Sequence, residues 1–147
     1  MKRKLLLVDD DSAVREMLGR VLIEAGYQVV PATNGQEALE ISAATAIDLV
    51  LLDLNLPVKN GWDTFEQLTS DNPLLPIIII TARSNQLFPA LASGVGALME
   101  KPLNFPELLE TIKSLLNEPM EQRLARLTGK PAEFRYLPAH QKETGEL

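Results

Sequence analysis

Apolar positions along the chain fall into two alternating kinds of segment. Leu5–Val8, Leu49–Leu52 and Ile77–Ile80 are short continuous apolar runs, the pattern of strands buried on both faces of a parallel sheet. Tyr27–Val30 and Ala97–Met99 are weaker runs of the same type. The stretches between them have helical spacing. Val14, Met17, Leu18, Val21 and Leu22 share one face, with Ser12 placed to cap the helix and Gly26 to end it. Asn34 can cap a second helix carrying Ala38, Leu39 and Ile41, and Trp62, Phe65 and Leu68 mark a third. Leu87–Ala92 suggests a fourth, with Pro89 confined to its first turn. Pro106 opens a fifth, whose stripe is Leu108, Leu109, Ile112, Leu115 and Leu116. Five strands alternating with five helices predict a doubly wound α/β domain, a five-stranded parallel sheet with helices on both faces. No internal repeat interrupts this pattern.

The alternation ends near residue 118. We read 1–118 as one domain and 119–147 as a tail, in which Met120–Leu127 forms two helical turns and the rest is extended or disordered. Phe134, Tyr136 and Leu137 are scattered apolar anchors there. The tail contains no helix-turn-helix pattern, so it is not expected to form a separate output domain.

The net charge is −6, and residues 1–118 hold 9 Lys/Arg against 16 Asp/Glu. A body this acidic disfavours direct DNA binding. The N-terminal Lys-Arg-Lys precedes only four apolar residues before three aspartates, so it is neither a signal peptide nor a membrane span. A cytoplasmic protein with no membrane association is expected. There are no cysteines and one histidine, His140, in a polar stretch. Any metal must be held by oxygen, which selects Mg²⁺, Mn²⁺ or Ca²⁺ over Zn²⁺.

The chemistry is concentrated where strands end. Leu5–Val8 runs into Asp9 and Asp10, Leu49–Leu52 into Asp53, Ile77–Ile80 into Thr81, and Ala97–Met99 through Glu100 into Lys101. Singly, each has a plain reading: a cap, a β-former, a surface charge. A parallel sheet brings all these ends to one edge, the edge where such folds bind ligands. Like charges about 4 Å apart repel by about 4 kcal/mol at an effective dielectric of about 20. Three clustered carboxylates beside one ammonium therefore call for a divalent ion, and Mg²⁺ suits a site with few protein ligands, with Mn²⁺ the alternative.

The segments LLLVDDDSAVREML, DLVLLDLNLPVKNGWD and IIIITA and the pair Lys101-Pro102 together resemble the receiver domains of bacterial two-component response regulators. The resemblance spans about Lys4 to Asn117 and implies a flavodoxin-like strand order 2-1-3-4-5. It implies that Asp53 accepts a phosphoryl group from a sensor histidine kinase or a histidine phosphotransfer protein. Asp10 would bind Mg²⁺ directly, Asp9 mainly through water, and Asn55 through its backbone carbonyl. Thr81 and Lys101 would hold the phosphoryl oxygens, with a cis Lys101–Pro102 bond aiming the ammonium. The implied protein is a switch rather than an enzyme, limited to self-catalysed phosphotransfer and autodephosphorylation. It would signal to a downstream protein.

Two features depart from the family. Leu98 stands where an aromatic residue is usual, and the segment from Thr81 to Lys101 is slightly short. Leu87, Phe88, Leu91, Val95, Leu98 and Met99 in this region read first as core. A remodelled output face is the alternative, with a homodimer through the fourth helix, fifth strand and fifth helix. Arg83 is expected near the mouth of the site, where it and Asn55 would influence acyl-phosphate lifetime. Two other functions compete: a receiver-like binding module independent of phosphorylation, and a metal-dependent phosphatase. Phosphatases that form aspartyl phosphates usually place an acid two residues after the nucleophile, where this chain has Asn55.

Overall fold

The computed structural model describes residues 2–82, 85–86, 89–90, 95–127 and 135–139. Strands β1 (Lys4–Val8), β2 (Gln28–Ala32), β3 (Leu49–Asp53), β4 (Ile77–Thr81), β5 (Ala97–Glu100) and β6 (Arg135–Leu137) form one sheet. Its order is β2-β1-β3-β4-β5-β6, and every pairing is parallel. The expected order of the first five strands is present. The sixth strand corrects the five-stranded expectation. It comes from the tail, expected to be extended or disordered, where Arg135–Leu137 is an extended strand on the outer edge of β5.

Strands β1, β3, β4 and β5 bury both faces, which is why the sequence shows runs rather than alternation there. Leu6, Val8, Val50, Leu52, Ile77, Ile79 and Leu98 meet α2 (Gly35–Ala44) and α3 (Gly61–Asp71) on one face. Leu5, Leu7, Leu49, Leu51, Ile78, Ile80 and Met99 meet α1 (Ser12–Glu24) and α4 (Phe105–Leu116) on the other. Each fully buried Leu or Ile contributes about 1.5–3 kcal/mol, so these two layers hold the strand ends in place.

The helix boundaries follow local chemistry. Asp11, not Ser12, caps α1, its carboxylate accepting from the amides of Ala13 and Val14. Ser12 is instead the first helical residue. Gly26, at φ +100°, lets the chain turn back after α1. Asn34, Asn60 and Asn104 cap α2, α3 and α4, and Pro106 sits in the first turn of α4. The predicted helix Leu87–Ala92 lies mostly outside the described residues, of which Pro89 and Ala90 are helical. Arg83 also lies outside them. In the tail, α5 (Met120–Leu127) forms as expected.

Candidate functional site

The register of the central strands builds the site. Val8 pairs with Leu52, so Asp9 and Asp53 leave adjacent strands side by side. On the far side of β3, Asp53 pairs with Ile80, which places Thr81 at the same edge. Thr81 in turn pairs with Glu100, and the Lys101 amide donates to the Thr81 carbonyl at 2.8 Å. Four chain segments thereby converge without any local sequence contact.

Two of the three acids are buried there. Asp9 and Asp53 are 2% and 4% exposed, whereas Asp10 faces solvent. One carboxylate oxygen from each of the three lies within 4.8 Å of the others, a grouping able to hold a metal ion. Lys101 Nζ donates to Asp53 Oδ2 at 2.9 Å and to Asp9 Oδ2 at 3.3 Å. The remaining oxygens are fixed by backbone: the Asp11 amide donates to Asp9 Oδ1 and the Asn55 amide to Asp53 Oδ1, both at 2.9 Å. The Lys101–Pro102 bond is cis. Thr81 is buried at the end of β4, and the Asn55 side chain is exposed.

Charge is unevenly balanced within this cluster. Burial raises the Asp9 pKa above the ordinary 3.8; the Asp11 amide opposes this, the Asp53 charge adds to it and Lys101 opposes it. Burial alone would lower the Lys101 pKa, but the bond to Asp53 and the charges of Asp53 and Asp9 outweigh it, so the net direction is up. Two buried acids sharing one cation leave net negative charge. Oxygen donors, close spacing and that excess together fit a small hard dication.

Gly61 keeps the loop after Asp53 tight. A Cβ at this position would lie 2.8 Å from the Leu54 carbonyl oxygen and 2.9 Å from that of Asp53. The Gly61 amide donates to the Leu54 carbonyl at 3.0 Å, so α3 starts directly against the end of β3. Within this loop Val58 has φ +68° and is 83% exposed, an unusual conformation for a β-branched residue.

A family model, the response regulator receiver domain, matches residues 5–113. The chain belongs to this family. The receiver domain is 39% identical over 118 residues to the response regulator MprA of Mycolicibacterium vanbaalenii, covering 79% of this chain and 51% of that protein. It is 36% identical over 141 residues to the response regulator MprA of Mycobacterium bovis, covering 89% and 61%. It thus spans about half the length of the curated relatives it matches. Among solved structures it resembles a CheY-like receiver protein from Methanospirillum hungatei, with TM-score 0.77, 30% identity and coverage of 80% and 96%. It also resembles the response regulator TrrA of Thermotoga maritima, solved with Mg²⁺ and beryllofluoride, with TM-score 0.73, 33% identity and coverage of 77% and 98%.

The structure brings together Asp9, Asp10, Asp53 and Lys101, and sets Thr81 at the same edge. Sequence reasoning missed several residues around the receiver site. Arg15 Nη1 donates to the Asp9 carbonyl at 2.7 Å, tying α1 to the end of β1. Asp11 both caps α1 and orients Asp9. Glu100 is a buried carboxylate at 8% exposure. Spacing could have suggested Arg15, one turn beyond the cap. Nothing local marks Glu100 as buried. Among the described residues no helix is long and apolar enough to cross a membrane.

Proposed function

We propose that this receiver domain is a phosphorylation switch, with Asp53 accepting a phosphoryl group from a phosphohistidine on a sensor kinase or phosphotransfer protein. The observation that carries this reading is the state of Asp53. It is a buried carboxylate held at Oδ1 by the Asn55 amide and at Oδ2 by Lys101. Such a group is oriented before its partner arrives, and positioning with charge neutralisation is most of what phosphoryl transfer requires.

In the proposed step an Asp53 oxygen forms a bond to phosphorus as the phosphorus–nitrogen bond breaks, the electron pair leaving with the imidazole. Asp9, Asp10, Asp53 and the Asn55 carbonyl would hold Mg²⁺ (or Mn²⁺), which supplies neutralisation of the phosphoryl oxygens. Lys101, already pointing at both buried acids, transfers its bond from Asp53 to a phosphoryl oxygen. The Thr81 hydroxyl donates to another. The product carries about −1.5 to −2 charge at neutral pH, by analogy with other phosphorylated side chains.

Residues 1–118 form the receiver body in this reading, with residues 119–147 appended, and the output is a protein contact rather than catalysis of an external reaction. Incubation with a small phosphodonor and Mg²⁺ tests it. The chain becomes labelled at Asp53, and Asp53→Asn abolishes labelling. Undiminished labelling of the variant removes Asp53 from the mechanism.

A further inference from the structure

The segment that leaves β4 is tied to α3 by side chains. Trp62 Nε1 donates to Gln86 Oε1 at 2.8 Å, and Gln86 Nε2 donates to Asn85 Oδ1 at 2.8 Å. The Gln86 carbonyl accepts from the Ala90 amide at 3.0 Å, the bond of one α-helical turn. Gln86 is buried, and Ala90 lies in the same apolar layer as Phe65 and Leu98. A buried amide side chain keeps its place through such bonds, because leaving them unmade is costly.

The two ends of this tie differ in freedom. Trp62 follows Gly61, which packs directly against the Leu54 and Asp53 carbonyls. Its ring stands edge-on to Phe65, with centroids 5.6 Å apart and planes at 85°. Gln86 instead lies five residues after Thr81. The Thr81 carbonyl accepts from the Lys101 amide, so the two residues proposed to hold the phosphoryl oxygens are themselves joined. An inward step of this pair draws on the chain that runs to Gln86, and the start of α3 is too tightly packed to follow. A bond of 2.8 Å is lost after a shift of about 1 Å.

Leu98 has no means of forming such a link. It is fully buried in the apolar layer and carries no polar group. Trp62 combines both properties: a ring packed against that layer and a single donor aimed at the segment beyond Thr81.

We propose that the Trp62–Gln86 hydrogen bond is the readout latch of this receiver domain, closed while Asp53 is free and broken when Asp53 carries a phosphoryl group. This rests on the phosphoacceptor reading above and names the pair through which the occupied site acts on the next helix. Breaking the bond releases Gln86 from α3, and with it the helical turn from Gln86 to Ala90. A bond made in only one state favours that state by its own net worth. Removing it therefore favours the occupied state by the same factor.

The chain has one tryptophan, so its indole N–H gives one resonance that reports on the latch directly. When beryllofluoride and Mg²⁺ are added to the full chain, this resonance should shift and its solvent exchange should quicken about fivefold or more. Gln86→Leu should show the altered signal beforehand and respond little to beryllofluoride. It should also bind beryllofluoride about two- to tenfold more tightly, the worth of one neutral hydrogen bond. A bond that is merely structural, kept in both states, would leave that affinity unchanged. Trp62→Phe, which keeps a ring against Phe65 and loses the donor, should give the same gain, with none added in the double variant. Site occupancy is read separately from the ¹⁹F signal of bound beryllofluoride. An occupied site with an unmoved indole signal in the unsubstituted chain overturns the latch but leaves the phosphoacceptor reading intact, whether or not the variants fold. Absence of the bound ¹⁹F signal overturns both. Unchanged beryllofluoride affinity in both single variants overturns the latch even where the indole signal moves.

Discussion

Replacing Lys101 with Ala isolates the electrostatics of the site from its chemistry. Its ammonium lies 2.9 Å from Asp53 Oδ2 and 3.3 Å from Asp9 Oδ2. At an effective dielectric of about 20 each contact is worth about 5–6 kcal/mol of Coulomb attraction. Most of that is offset by desolvation of the three groups and by the Asp9–Asp53 repulsion. Breaking a fully buried pair costs about 3–5 kcal/mol. The Lys101 side chain is 27% exposed, so water entering the variant partly replaces it and we expect a loss of about 2–3 kcal/mol.

The loss in Lys101→Ala should depend on pH in a defined direction. The Asp9 pKa is already raised in the folded protein, and removing Lys101, one of the groups that lower it, raises it further. A carboxyl with a higher pKa folded than unfolded binds more protons in the native state, so stability falls as pH rises through that range. The variant should therefore lose more stability than the wild type as pH rises above the ordinary aspartate range. Mg²⁺ should restore more stability to the variant than to the wild type, since the variant has more uncompensated charge. Urea unfolding at two pH values, with and without Mg²⁺, measures all three effects. Equal stability, a matching pH slope and no extra Mg²⁺ gain would refute the premise that Lys101 neutralises two buried acids.

Other perturbations test neighbouring parts of the structure. Mg²⁺ affinity should decline on acidification well before an ordinary aspartate of pKa 3.8 would protonate, because protons compete at Asp9; calorimetry across pH would reveal an affinity that fails to fall. Gly61→Ala should cost about 1–3 kcal/mol and slow phosphodonor labelling, since its methyl would press on the Leu54 and Asp53 carbonyls; a variant with wild-type urea midpoint and labelling rate would contradict that packing. Val58→Gly should gain about 0.5–1 kcal/mol by relieving a left-handed β-branched residue, and a drop in melting temperature would argue against strain there.

Much of the body was legible in the chain because its signals are local. Leu49–Leu52 and Ile77–Ile80 are too continuous for a half-exposed strand, and Asn34 and Pro106 mark helix starts by their own stereochemistry. The cap of α1 was misplaced by one residue because Asp11 and Ser12 are both good caps. Only the backbone at Asp11, extended at φ −85° and ψ 114°, decides between them. β6 was missed for a different reason. Arg135–Leu137 is short and mixed in polarity, and its fit to β5 depends on a partner far back in the chain.

The sequence by itself determined which residues end each strand, and so which chemical groups a parallel sheet would collect at one edge. Tertiary structure decided how those groups face one another. Asp9 is buried while Asp10 is exposed, Lys101 bridges two acids, and Glu100, next to Lys101 in sequence, is buried. Burial, dielectric and strand register are properties of the packed molecule, and no single segment carries them. The sixth strand belongs to the same class, because an edge exists only once the sheet has formed.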